Sequence, residues 1–313
     1  MQKSFNEFYQ AVRPTLEQLE KERRVALSRS AWAVGIAVVA GLLVTLGIFL
    51  VNPDNDPSGA IFALLFFAVA GYGYAEWRHL GPFRRRFKLE VIERLVKFVS
   101  SELHYDPSAG VGERAYRDSL LFPRSHDRFR QEDLIAGTVG QTRLRVSEIH
   151  SEYRTRDSKG RTNWHTIFRG LFFVLDFPKR FNGTTLVLPD GTGWLGGLGD
   201  AMQGWDSRGE LVKLEDPEFE RLFVVQGTDQ VEARYLLSTS MMERIKELRK
   251  RGPLYMAFTG GNLYVGISSS RDLFEPNVLK PLGMDDLMAH MGNLRQVLGI
   301  VDELELNTRV WRE

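Results

Sequence analysis

Two stretches near the start of the chain hold no charged side chain, Trp32 to Val51 and Gly59 to Ala75. A helix needs roughly 20 such residues to cross a hydrocarbon core of about 30 Å. The first stretch meets that length, and the second reaches it with its flanks Ser58, Glu76 and Trp77. Asn52-Pro53-Asp54-Asn55-Asp56-Pro57 separates them and predicts a turn, because closely spaced Pro, Asn and Asp punctuate helices. The pattern therefore predicts a transmembrane hairpin over residues 32–77. The first run is too long and starts too far into the chain for a secretory signal. A pair of soluble core helices would show a polar face over this length.

Helical periodicity continues on both sides. Phe5, Phe8, Val12, Leu16 and Leu19 recur at three- and four-residue intervals and predict an amphipathic helix over residues 1–31. Pro14 is expected to kink or interrupt it near Arg13. Its stripe would pack on another helix or lie on a membrane surface. The mixture of Glu7, Glu17, Glu20 and Glu22 with basic residues favours packing. After the second run, Leu80-Gly81-Pro82 is expected to break the chain. A new helix follows, with Phe83, Phe87, Val91, Leu95 and Phe98 on one face, widened by Ile92 and Val99. This makes residues 78–105 a juxtamembrane stalk, antiparallel to the N-terminal helix. Small residues at four-residue spacing, Ala33, Ala37, Gly41 and Thr45 in one run and Gly59, Ala63, Gly71 and Ala75 in the other, allow close approach of the two spans or of two copies. Phe67 interrupts the second file.

Charge sets the orientation. Lys21, Arg23, Arg24 and Arg29 precede the first run, and Arg78, Arg84, Arg85, Arg86 and Lys88 follow the second, whereas the connecting turn holds only Asp54 and Asp56. Basic flanks stay on the cytoplasmic side. The expectation is a two-pass membrane protein with both termini cytoplasmic. Trp32 and Trp77 would rest at the inner interface with Arg84, Arg85, Arg86 and Lys88. The Phe83–Lys88 cluster reads either as a contact for acidic lipid or as ordinary flanking charge. No ionisable residue stands inside either span, which argues against an ion or proton path.

Residues 106–313 predict an α+β domain with a mainly antiparallel sheet and packed helices. Strand-like stretches are 134–139, 142–149, 167–177, 184–188, 211–214, 222–225, 254–259 and 262–267. Gly260-Gly261 between the last pair predicts a tight hairpin. Helices are expected over 229–251 and 285–302, and a closing strand over 303–311. Strands precede helices without regular alternation, which favours α+β over a doubly wound fold. Thr155 to Asn163 reads as a polar, basic hairpin tip, and Asp190 to Gly209 as a glycine-rich loop.

Composition narrows the chemistry. The chain of 313 residues has 26% charged residues, a formal net charge of +1 and no cysteine. Disulfides, thiolate catalysis and cysteine-based metal centres are excluded, and no bulk basic field points to nucleic acid. Gly191-Thr192-Gly193-Trp194-Leu195-Gly196 spells a dinucleotide fingerprint, but more glycines follow where a helix is needed. No P-loop, nucleophile elbow, kinase set or zincin motif occurs, and no cofactor is expected. His150 and Glu152 would share a face of a strand and, with His165, form the polar candidates for an enzyme. Two such ligands fall short of a structural metal site. His126-Asp127 and Glu132-Asp133 read as a polar loop.

Several segments resemble an uncharacterised bacterial family of membrane proteins, a domain of unknown function often labelled "galanin-like". They are Ser119-Leu120-Leu121-Phe122, Glu132 to Gly137, Phe168 to Phe173, Leu214 to Phe219 with Phe223-Val224-Val225, Ala233 to Leu237 and Leu263 to Ile267. The resemblance carries no catalytic residue. Some members of that family are encoded near LemA-like membrane proteins, which hints at a membrane assembly with such a protein as one candidate partner. Taken together, the leading expectation is a membrane-anchored interaction or scaffolding module that meets the lipid bilayer and a protein partner or its own copy. The alternatives are a membrane-tethered enzyme acting on a small molecule or lipid head group, and a membrane-bound ligand sensor. In Asp216-Pro217-Glu218, Asp caps a helix, Pro fills its first turn and Glu meets its positive end. Gly170 is expected to permit a bulge.

Overall fold

The apolar runs form helices that are more continuous than their breakers predict. The computed structural model describes residues 2–51, 57–177, 181–190 and 209–306. Helix α1 (Gln2–Val51) runs unbroken through Pro14, so the interruption expected near Arg13 does not occur. Val12, Leu16 and Leu19 are buried around it, and that packing offsets the roughly 3 kcal/mol an interior proline costs. At 1.5 Å per residue the 50 residues of α1 span about 75 Å.

The second arm comprises α2 (Pro57–Ala75), α3 (Gly81–Phe87) and α4 (Glu93–Val99), joined by π-helical turns at Glu76–Leu80 and Lys88–Ile92. Leu80-Gly81-Pro82 therefore does not end the helix. The Gly81 N–H donates to the Glu76 carbonyl five residues back. This wider turn accommodates Pro82, which has no N–H to place.

The two arms pack antiparallel. Thr45 Oγ1 donates to the Ala60 carbonyl at 3.3 Å. Gly41 lies against Leu64 and Phe67, and Gly71 against Ala37. Arg86 reaches Glu22, and Arg94 Nη1 donates to Thr15 Oγ1 at 3.1 Å. Each step toward the N-terminus on one arm matches a step toward the C-terminus on the other, so one register runs from the apolar runs into the stalk. Gly59 faces open space and is not part of the contact file.

The chain divides into two compact units, Met1–Leu95 with Phe274–Met291, and Val96–Leu273 with Gly292–Glu313. Within the first, the segment Phe274–Met291 is fastened to the stalk. Arg23 Nη1 donates to the Val278 carbonyl at 2.7 Å, and Glu20 accepts the Leu282 N–H at 3.0 Å. The single domain expected over 106–313 thus lends this segment to the first unit. The stalk helix expected to reach residue 105 stops at Val99, and Leu103–Asp106 is a strand instead.

The second unit is built on a nine-stranded sheet whose neighbours all pair antiparallel, as the α+β expectation requires. The strands are β1 (Leu103–Asp106), β2 (Arg128–Val139), β3 (Thr142–Arg156), β4 (Thr162–Asp176), β5 (Thr185–Pro189), β6 (Glu210–Leu211), β7 (Phe223–Gly227), β8 (Leu254–Thr259) and β9 (Asn262–Ser268). Their spatial order is β1-β2-β3-β4-β9-β8-β5-β7-β6. The Gly260-Gly261 hairpin is present, with both glycines at positive φ and Thr259 opposite Asn262. β3 and β4 form a long hairpin whose last pair is Arg156 and Thr162.

Helices complete the unit. α5 (Glu113–Asp118) and the turn after it cover one sheet face, where Tyr116, Leu121 and Phe122 join Ile149, Phe172, Val174, Tyr255 and Tyr264 in one core. α6 (Pro217–Leu222) starts as Asp216-Pro217-Glu218 predicts, with the Asp216 carboxylate accepting the N–H groups of Glu218 and Phe219. The helix expected over 229–251 is two, α7 (Gln230–Leu236) and α8 (Thr239–Arg249), because Ser238 caps the second through the Met241 N–H. The one expected over 285–302 is α9 (Met284–Leu298), whose residues up to Met291 belong to the first unit, and α10 (Ile300–Glu303). The closing strand is not seen where it is described: Glu303 ends α10 and 304–306 form a turn. Its remainder, the turn at 52–56 and the glycine-rich stretch 191–208, with its fingerprint, lie outside the described residues.

Candidate functional site

The six expected interface residues have divided roles. Trp32 and Trp77 are 72% and 74% exposed. The antiparallel register sets them level with each other, on the outside of the hairpin. Arg85 is exposed as well. The other three meet acidic side chains of the same unit. Arg84 pairs with Glu76 at 2.7 Å and Glu275 at 3.4 Å, and Arg86 with Glu22 and Glu90. Lys88 is buried and pairs with Glu275 at 2.8 Å. A buried ammonium is not a lipid contact, so Lys88 leaves the interface set and serves the stalk. Near it His290 packs on Phe87 and lies 3.7 Å from Asp286, whose carboxyl is pushed up by burial.

The three polar candidates of the sheet do not converge. His150 Nε2 lies 3.8 Å from Glu152 Oε1 and 3.4 Å from Thr166 Oγ1, and Glu152 is engaged by Arg128 at 3.3 Å. Burial and the neighbouring arginines lower the His150 pKa, with Glu152 opposing. His165 stacks on Tyr153 at 4.9 Å, and its Nε2 is 2.8 Å from Thr155 Oγ1. A register shift between Ser151 and Glu152 breaks the simple alternation that sequence spacing assumes.

Glu132 and Asp133 are not in a loop. They belong to β2, at a register shift, where Asp133 holds a φ of 59° and is buried. The Tyr105 hydroxyl hydrogen-bonds to Asp133. Close by, Glu148 accepts the Leu273 N–H at 2.8 Å. Burial pushes the Glu148 carboxyl up to about 8; the Leu273 bond opposes this, and Asp133, Asp272 and Glu132 add to it. At neutral pH this side chain is a neutral acid.

A cleft of about 570 Å³ opens where the sheet steps. The β4–β9 ladder starts at Gly170, opposite Ser268, and the Arg169 carbonyl accepts the Ser269 N–H at 3.0 Å just before it, so the β4 residues ahead of Arg169 pair on the β3 side. Thr166, Phe168 and Arg169 line the step, facing Ser268 and Ser269 from the end of β9 and Arg249 from the end of α8. Pro189, Pro253 and Tyr255 add apolar wall. Gly170 and Gly252 make the crossing possible, because a Cβ on either would strike the backbone around Ser268. Ser268 is held further by its N–H to the Pro253 carbonyl and by a bond between its side chain and the Tyr255 hydroxyl. Arg169 is paired with Asp272 at 3.0 Å. Sequence reasoning missed this cleft: its residues are scattered from 166 to 270 and follow no motif spacing.

No curated protein matches the chain. Among solved structures, the mycobacterial trehalose monomycolate transport factor A, TtfA, aligns over 70% of this chain and 97% of its own, with a TM-score of 0.32 and 10% identity. Residues 166–306, which hold the cleft and most of the sheet beyond β3, match the model of a family described as a protein of unknown function, DUF3137.

Proposed function

We propose that the protein is a two-pass anchor in a bacterial inner membrane that presents a cytoplasmic interaction module. The observation that carries this reading is the division of side chains on the hairpin. Small residues meet between the arms, while Ile36, Val39, Leu43, Phe62, Phe66 and Val69 point outward and are more than half exposed. Only 6% of the most apolar window of the first arm is buried, which is the reverse of a soluble core helix. An outward apolar surface of this length needs lipid around it.

Orientation follows from charge. Arg29, Arg78 and Arg85 are exposed at the stalk end of the apolar runs and have no ion pair among the described residues. Such cations favour the cytoplasmic side. The segment Phe274–Met291 packs on the stalk within the membrane-anchored unit. Interaction is favoured over catalysis because His150, Glu152 and His165 do not assemble a common centre. The partner class is a protein surface, either a second copy or another membrane protein such as a LemA-like one.

The absence of native cysteine makes the topology directly testable. In intact cells a membrane-impermeant maleimide should label Ser58→Cys, after outer-membrane permeabilisation, and leave Ser158→Cys unlabelled until the inner membrane is opened. The protein should also stay in the membrane pellet after carbonate washing. Labelling of Ser158→Cys from outside, or release by carbonate, would overturn the proposal. Crosslinking of the intact protein in cells should trap a specific protein partner.

A further inference from the structure

We propose that the cleft at the β4–β9 step binds an organic oxyanion, a phosphate or carboxylate group carried on an apolar body. This is independent of the membrane reading, because every residue involved belongs to the sheet unit.

Arg249 carries the argument. It lines the cleft, and its Nε is buried with no hydrogen-bond partner. No carboxylate of the described residues lies within ion-pair distance of it. Arg249 is part-buried and its Nε is a donor out of reach of water; an oxyanion supplied by a ligand would satisfy that donor and meet the delocalised charge. Nearby Arg169 differs, since Asp272 already neutralises it.

Hydroxyl donors stand beside the charge. Ser269 Oγ accepts the Arg271 N–H at 3.0 Å, which leaves its proton available to donate. Ser270 follows it on the cleft wall. Charge plus hydroxyls is the donor set that phosphate and carboxylate oxygens require. Glycine packing around Ser268 fixes this turn of chain, so the donors are arranged before a ligand arrives.

The remaining wall decides the rest of the ligand. Asp190 also lines the cleft but is exposed to solvent, whereas Phe168, Ile167, Pro189 and Pro253 are apolar, and a cleft of this volume is the size that takes a small organic molecule. Inorganic phosphate alone would leave this wall against water. The bound species therefore combines an anionic head with an apolar portion. A lipid head region and a soluble amphiphilic metabolite share that chemistry.

The test uses the full chain in phosphatidylcholine nanodiscs, with hexyl phosphate as probe and calorimetry as readout. Hexyl phosphate should bind saturably at one site. Hexanol, which lacks the anion, and inorganic phosphate, which lacks the apolar body, should each bind about tenfold more weakly or worse. Arg249→Met should weaken hexyl phosphate about tenfold or more, Arg249→Lys less, and Lys250→Gln on the exposed side of the same turn not at all. Because Arg249 has no internal anion, Arg249→Met should keep or raise the unfolding temperature. If that variant fails to fold, Ser270→Ala gives the second reading, with an expected weakening of about threefold or more. Nanodiscs containing phosphatidylglycerol distinguish the source: competition with hexyl phosphate identifies a lipid head group, and unchanged affinity a soluble anion. Equal binding of hexanol and hexyl phosphate, or unaltered affinity in Arg249→Met and Ser270→Ala, would overturn the proposal.

Discussion

Gly71 on the second arm meets Ala37 on the first so closely that a Cβ added to Gly71 would lie 2.5 Å from that of Ala37. No side chain fits between them, and the same file continues through Gly41 against Phe67. Gly71→Val is therefore expected to force the arms apart and lower stability by about 1–3 kcal/mol. Gly59→Val, whose Cβ meets nothing within 4 Å, is the control and should be close to neutral. Unfolding midpoints of the two variants in mild detergent check this. Equal effects would mean that the arms are not packed through this file.

Below the apolar runs the segment Phe274–Met291 is joined to the second arm by charge. Glu275 stands between Lys88 at 2.8 Å and Arg84 at 3.4 Å, and the Lys88 side chain is 5% exposed. Glu275→Gln removes the anion but keeps the shape. It should destabilise the stalk unit by about 1–3 kcal/mol, because Glu275 is itself 26% exposed and water screens part of the pair. In a double-mutant cycle, Lys88→Met combined with Glu275→Gln should cost clearly less than the two single changes together. Additivity would show that the pair contributes nothing.

Acid and base act on different units. Glu20 is held at about 2, first by its bond to Arg23, against an ordinary value of 4.5. Its contribution is present above pH 4.5 and is lost as pH falls toward 2. Glu148 is raised to about 8 from 4.5. The folded sheet unit then binds more protons than the unfolded chain between these values, so its stability falls as pH rises from about 4.5 to about 8. Glu148→Gln retains an oxygen for the Leu273 N–H and removes the titration. It should be near neutral at pH 5 and stabilising at pH 8.5, measured by chemical denaturation at both. A pH slope unchanged by Glu148→Gln would rule out this carboxyl as its source.

What could be read in advance follows from how local each signal is. The apolar runs, the Gly260-Gly261 hairpin, the Asp216 cap and the strand over 254–259 depend on neighbouring residues, and all were legible. Breakers were over-read. Pro14 and Gly81-Pro82 signal interruption locally, yet packing on the opposite arm and a π-helical turn carry the helix through. β1 escaped notice because Leu103-His104-Tyr105-Asp106 is too short to show alternation, and only its pairing with 134–137 defines it. Lys88 looked like flanking charge because Glu275 lies far away in sequence. The cleft was invisible for the same reason, since Arg249 and the serines of β9 meet only after the sheet has formed. Gly170 was legible as a special position but not in its role: the register shift falls at Ser151 and Glu152, and Gly170 serves close approach.

That role of Gly170 gives a final prediction. Its φ is 150°, and a Cβ there would fall 2.1 Å from the Ile267 carbonyl oxygen and 2.8 Å from the Ser269 N. Both obstacles are backbone, so no side chain can move aside. Gly170→Ala must separate β4 from β9 at the edge of the cleft, and an expected loss of about 3 kcal/mol or more follows from conformational strain added to overlap. Gly160, at the tip of the β3–β4 hairpin, also has positive φ, 77°, but faces open space. Gly160→Ala carries only the conformational part, about 1 kcal/mol. Denaturant unfolding of the two variants separates overlap from backbone preference. A loss in Gly170→Ala no larger than that in Gly160→Ala would mean that the strands do not approach this closely, and that the serines of β9 are not held against β4.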